Sequence, residues 1–197
     1  MNKPEALTLE EFRQLRELLK EEATNGGRTE VRDRAIIELL FTLTLRVSDF
    51  LDLKVKDLVK ENGEVKKAIT MTESKNKNHK GIFVRPKPEQ ALRDWLSLAG
   101  LERSNYLFPS PYTDDHISRQ QVDNIIKKYV KRIDLEKDNK VVSSHSGRKT
   151  MGRRLWKNGV NMQEIRKILG HTNEETTRKY IGIFNKDLQE SVMSLPD

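Results

Sequence analysis

At 197 residues the chain accommodates one large domain, or a compact domain with a short appendage. It contains no cysteine, which excludes disulfides and thiolate zinc sites, and its longest near-apolar stretch, Ala35 to Leu45, is broken by Glu38, Thr42 and Thr44 and is too short to span a bilayer. The net charge of +7 is concentrated: residues 66–88 carry seven Lys/Arg against one acid, residues 119–157 carry twelve against four, and the rest sums to −7; such clustering is the footprint of a polyanion, most often nucleic acid, although charge alone also fits a solvated lysine-rich surface.

The mean hydropathy of −0.75 is low, but the apolar residues recur at helical spacing, which argues against disorder. Thr8 with Glu11 reads as a capping box, Leu7 and Phe12 as a hydrophobic staple, and Phe12, Leu15, Leu18 and Leu19 as a buried stripe. Asn25-Gly26-Gly27 ends this first helix. A second is expected over Val31 to Leu43, burying Val31, Ala35, Ile36, Leu39, Leu40 and Leu43, and Ser48 is expected to cap a short helix through Phe50 and Leu51. Val65 to Met71 and Gly81 to Val84 read as two strands of a hairpin whose polar link is Thr72 to Lys80. Pro86 and Pro88 lead into a helix ending near Gly100, and Tyr106 to Pro109 forms a buried turn. Ser118 with Gln121 opens a helix carrying Val122, Ile125, Ile126, Tyr129, Val130 and Ile133. Further helices fit about 145–157, 161–169 and 173–181, and 187–195 is a last amphipathic piece. The fold class expected is mainly α with one small antiparallel β-hairpin (α+β).

The last third carries the chemistry. His145-Ser-Gly-Arg148, Leu169-Gly170-His171 and Thr176-Thr177-Arg-Lys-Tyr180 place a cation, two proton-transfer groups and a phenol within 36 positions, and Arg46 stands far upstream in Thr44-Leu45-Arg46-Val47-Ser48-Asp49. His145 is three residues before Arg148 and therefore on the same helix face. The two histidines fit no standard zinc spacing and have no evident third ligand, so neither a metal nor a cofactor is expected. With these motifs, their order and the nine-position step from His171 to Tyr180, nearly the whole chain resembles the catalytic domain of the tyrosine recombinase (phage integrase) family.

The resemblance implies attack of Tyr180 on a DNA phosphate, giving a 3′-phosphotyrosine and a free 5′-hydroxyl. Arg46 and Arg148 would neutralise the non-bridging oxygens of the transition state, as two guanidinium groups can do bidentately without a metal. His145 would be the base and His171 a hydrogen-bond donor to the phosphate. A hairpin lysine would protonate the leaving oxygen; Lys75 is chosen, ahead of Lys77 and then Lys80. Asp49 is expected to orient the site, and Tyr106 and Tyr129 to be packed aromatics. Expected DNA contacts are Lys77, Lys80, Arg85, Arg119, Gln120, Asn124, Lys127 and Lys128, the last five on the helix 118–133 offered to the major groove. The chain departs from the family pattern at Thr44, where glycine is usual, at Gly147 for leucine, at Lys149 for histidine and at Asp49 for glutamate.

The implied partner is double-stranded DNA, bound by a tetramer on two sites or by a monomer before DNA is met, with no membrane, in the cytoplasm at the nucleoid. Residues 1–197 are expected to be the catalytic domain alone, without the usual N-terminal clamp domain, either as an excised fragment or as a short standalone recombinase. The tail from about 185 to 197 either docks on a neighbouring protomer or packs on its own domain. Two other readings share these residues: a type IB topoisomerase-like nicking and closing enzyme, and a non-catalytic DNA-binding regulator.

Overall fold

The capping boxes legible in the sequence set the frame. In the computed structural model, which describes residues 3–72, 79–135, 140–183 and 193, Thr8 Oγ1 accepts from Glu11 N–H at 3.2 Å and Glu11 Oε2 accepts from Thr8 N–H at 2.6 Å. Helix α1 (Leu9–Asn25) comes next, burying Phe12, Leu15 and Leu19. Leu7 is buried beside it.

Helix α2 (Arg28–Leu40) begins and ends three residues earlier than expected. Its start is drawn back to Gly27, whose N–H donates to the Glu30 carboxylate at 3.0 Å. Its end is forced by two threonines: Thr42 Oγ1 donates back to Glu38 O at 2.6 Å, and Thr44 adopts φ 57°, which no helix continues through. Arg46, not Ser48, is the N-cap of α3 (Val47–Leu51). A four-residue helix, α4 (Val55–Leu58), has no counterpart among the expected elements; the Asp57 carboxylate accepts Lys54 N–H at 2.8 Å and caps it.

The sheet is the expected antiparallel hairpin, with both strands shifted towards its tip. β1 (Ala68–Thr72) pairs with β2 (His79–Phe83) in the register Ala68↔Phe83 to Thr72↔His79. Val65 is not part of this ladder because it bridges to Val59 instead. The connection is therefore 73–78, shorter than expected, and it lies outside the described residues.

Helix α5 (Pro86–Ala99) starts on prolines, whose fixed φ suits a first turn, and stops at Gly100 in the left-handed region. Helix α6 (Arg119–Arg132) has the Ser118–Gln121 capping box. Helix α7 (Ser144–Lys157) is capped by Ser143, α8 (Met162–Leu169) by Asn161 and α9 (Glu174–Ile181) by Asn173. One apolar core joins α1 to α6, with α2 through its centre, where Ile36, Ile37, Leu39 and Leu40 have no exposed surface. A second, smaller cluster of Met162, Ile165, Leu169, Ile181 and Ile183 holds α8 and α9, with Tyr180 against it.

Helix α7 joins the two clusters, and two glycines allow it to do so. A Cβ on Gly147 would stand 2.8 Å from Leu40 O, and one on Gly152 would stand 2.6 Å from Ile181 Cγ2. The absence of a side chain at Gly147 lets α7 lie against the backbone at the end of α2. Among the described residues no helix is long and apolar enough to cross a membrane.

Candidate active site

Five of the six expected catalytic residues meet in one place. A pocket of about 210 Å³ is lined by Leu45, Arg46, Val47, Ser144, His145, Arg148, His171 and Tyr180. Three separate stretches build it: the turn into α3, the first turns of α7, and the α8–α9 segment. Lys75 and Lys77 lie outside the described residues, and Lys80 is on β2 opposite Met71.

Arg148 is the best held of the set. It is 3% exposed. Its Nη1 donates to Thr44 O at 2.8 Å, and its Nη2 donates to Leu169 O. The left-handed turn at Thr44 thus has a use, because it aims that carbonyl at the guanidinium. Arg46 stands at the start of α3, with Nη1 3.9 Å from Oδ2 of buried Asp49.

Tyr180 lies at the meeting point of opposed electrostatic effects. Burial raises its pKa above the ordinary value, while the charges of Arg148 and Arg46, and a hydrogen bond from Arg148, pull it down. Its ring meets the His171 ring edge to face, with centroids 4.9 Å apart. Lys149 Nζ is 5.3 Å above the same ring and also donates to Pro4 O at 2.6 Å. Lys149 therefore ties the N-terminal segment to the Tyr180 ring.

The two histidines differ in setting. His145 is at the open rim, where desolvation first, and then the cations Arg119, Lys149 and Arg148, hold its pKa below the ordinary value against the opposing charge of Asp123. It is accordingly a neutral proton acceptor near pH 7. His171 Nδ1 is 3.2 Å from Thr177 Oγ1, and that hydroxyl donates to Asn173 O at 3.0 Å. Thr177 is fully buried and fixes the ring's orientation.

The expected DNA contacts fall into groups. Arg119, Gln120, Asn124 and Lys127 are exposed on α6, and the start of α6 adjoins the pocket, since Ser144 N–H donates to Asp123 Oδ1 at 2.7 Å. Arg85 is exposed at the start of α5. Lys128 is exposed as well, with Nζ 3.5 Å from Asp33 and 3.7 Å from Glu30. Tyr129 is packed as expected, its hydroxyl 3.4 Å from Asp33 and its pKa raised by burial. Tyr106 is half-buried, edge-on to His116.

The phage integrase family model matches residues 6–186. The chain belongs to the phage integrase family. Among curated family members it is 31% identical over 139 residues to the probable integrase/recombinase YoeC of Bacillus subtilis, covering 71% of each chain. It is 29% identical over 197 residues to the tyrosine recombinase XerC of Caldanaerobacter subterraneus subsp. tengcongensis, covering 98% of this chain and 51% of that one. The chain thus spans about half the length of this XerC. Among solved structures the XerA recombinase superposes with a TM-score of 0.75 at 24% identity, over 100% of this chain and 67% of that one. The family's mainly helical fold with a small hairpin is the fold described above.

Sequence reasoning missed Ser144, Lys149 and Thr177 as parts of the site. Thr177 is in the Thr-Thr-Arg-Lys-Tyr180 run, and its position six after His171 is the available signal. Lys149 stands out in the sequence only as a departure from the family pattern, because its reach to the Tyr180 ring depends on how α7 and α9 pack.

Proposed function

We propose that this chain is the catalytic part of a site-specific DNA recombinase that cuts and rejoins strands through a 3′-phosphotyrosine, without metal or ATP. The observation that carries the reading is the gathering of Arg46, His145, Arg148, His171 and Tyr180 around one pocket, with Arg148 hydrogen-bonded to the Tyr180 phenol. The Tyr180 oxygen forms a bond to the phosphorus of the scissile phosphate, and the bond from phosphorus to the 5′-oxygen breaks. The phenol proton goes to His145, which is neutral at pH 7 and able to take it. Arg46 and Arg148 bind the non-bridging oxygens, whose charge grows in the transition state. His171 adds a hydrogen bond to the same phosphate.

The leaving 5′-oxygen takes its proton from Lys75, with Lys77 as the alternative. The bond energy is stored in the phosphotyrosine, so the reverse attack by a 5′-hydroxyl reseals the strand. DNA is contacted by the exposed α6 residues Arg119, Gln120, Asn124 and Lys127 and by Arg85, with Lys77, Lys80 and Lys128 as further contacts. Assembly on DNA is a tetramer on two sites; the tail from about 185, almost all of it outside the described residues, either docks on a neighbouring protomer or packs on its own domain.

A nicked duplex that loses a short 3′ fragment after cleavage tests the reading. The wild type should accumulate a covalent adduct and Tyr180→Phe none; an equal yield from both would refute it. Transfer of the trapped strand to a second duplex separates recombination from nicking and closing alone. With a 5′-bridging phosphorothiolate, whose sulfur leaves without a proton, Lys75→Ala should regain cleavage; recovery by Lys77→Ala alone would move the acid to Lys77.

A further inference from the structure

We propose that Ser144 is a further catalytic residue, its hydroxyl donating a hydrogen bond to a non-bridging oxygen of the phosphate held in the pocket. The proposal rests on the phosphoryl-transfer reading above. Ser144 is the first residue of α7, between the capping serine and His145. Its neighbours have local roles: Ser143 Oγ accepts His145 N–H at 3.3 Å, and Ser146 Oγ accepts Ser143 N–H at 3.1 Å. The Ser144 N–H is also used, donating to Asp123. The Ser144 hydroxyl differs from all of these. The residue is 2% exposed, and its Oγ is buried with no hydrogen-bond partner among the described residues.

A buried hydroxyl without a partner is costly, and nothing in the helix requires it. The capping is done by Ser143, and the first position of a helix readily takes alanine or proline. Yet Ser144 lines the pocket that holds both arginines, both histidines and the nucleophile, where the remaining lining residues are Leu45 and Val47. A serine has a single side-chain torsion, so turning the hydroxyl towards an incoming oxygen needs no movement of the backbone.

The chemistry fits a phosphate oxygen better than any other ligand atom. The start of a 14-residue helix favours negative charge there. The hydroxyl is also a donor with no internal bond to break when charge develops, which is what a preorganised site requires. Arg46 and Arg148 supply full charges; Ser144 adds a compact neutral donor at the side of the pocket formed by α7.

The test is Ser144→Ala, read three ways: thermal melting, equilibrium affinity for a duplex site, and single-turnover cleavage of the nicked duplex. Melting should be unchanged or higher, because the orphan hydroxyl is gone, and DNA affinity should stay within about threefold. Cleavage should slow by about ten- to a hundredfold, the range for one hydrogen bond to a charged oxygen. Cleavage at the wild-type rate would overturn the assignment, and so would slower cleavage accompanied by lower melting, which would mark Ser144 as a folding residue. A wild-type protein that forms no adduct would sink the parent reading as well, whereas a wild-type adduct unaffected by the substitution would remove Ser144 alone.

Discussion

Replacing Arg148 by lysine separates charge from geometry at the centre of the site. The guanidinium donates from two nitrogens to the carbonyls of Thr44 and Leu169, which come from different clusters of the fold, and it also serves the Tyr180 phenol. A lysine keeps the charge but ends in one nitrogen on a flexible stem, so at least one of these carbonyls loses its donor. At 3% exposure water does not readily replace it, and a charge-assisted bond of this kind carries about 1.5–3 kcal/mol. Urea melts should therefore show a loss of about 1.5–3 kcal/mol. The cost to cleavage is separate and larger: losing the fork that meets two phosphate oxygens should slow single-turnover cleavage by about a hundred- to a thousandfold. DNA affinity should change little, because the positive charge remains and the lost contacts strengthen in the transition state. A lysine variant within about 0.5 kcal/mol of wild type that cleaves within about threefold of it would refute the reasoning, since such surface-like tolerance is incompatible with a buried fork.

The same contacts set three further outcomes. Gly147→Ala places a Cβ 2.8 Å from Leu40 O and 3.0 Å from Phe41 Cδ2, so denaturant melts should show a loss of about 1–3 kcal/mol; the modest gain usual for alanine in an open helix would contradict the close approach of α7 to α2. Thr44→Gly relieves a β-branched residue at φ 57° by about 1–2 kcal/mol, less about 0.5–1 kcal/mol of added backbone entropy, so stability should be level or slightly higher with cleavage intact; a loss above about 1 kcal/mol would show that the turn depends on the threonine side chain. His145 has its pKa lowered from 6.5, by desolvation first and then by Arg119. The folded protein therefore resists its protonation, and this residue's effect is a loss of stability as pH falls below 6.5. The acid limb of the pH–rate profile for cleavage should accordingly lie below 6.5 and move up in Arg119→Ala; a limb above 6.5, or a downward move, would remove His145 as the base.

What can be read from the sequence is what residue type encodes. Thr8 with Glu11, Ser118 with Gln121 and Asn161 with Glu164 mark helix starts because each pairs a side-chain acceptor with a fixed offset. The groups proposed to react are legible for the same reason, since guanidinium, imidazole and phenol are rare combinations at those spacings. Hidden features depend on backbone atoms or on packing. The carbonyls of Thr44 and Leu169 that hold Arg148 have no residue signature, and the end of α2 depends on a left-handed threonine that its type does not favour. The hairpin strands lie nearer the tip than their apolar pattern suggests because Val65, apolar like its neighbours, pairs with Val59. Helix α4 is a single turn with too little periodicity to show. Ser144 and Thr177 escape notice because a hydroxyl near a helix start usually caps it.

The most direct test is to digest the trapped protein–DNA adduct and identify the linked residue and the linked end of the DNA. The account predicts one bond, from the Tyr180 oxygen to a 3′-phosphate, in the peptide containing Thr176-Thr177-Arg178-Lys179-Tyr180. A linkage to any other residue, or to a 5′-phosphate, would contradict it.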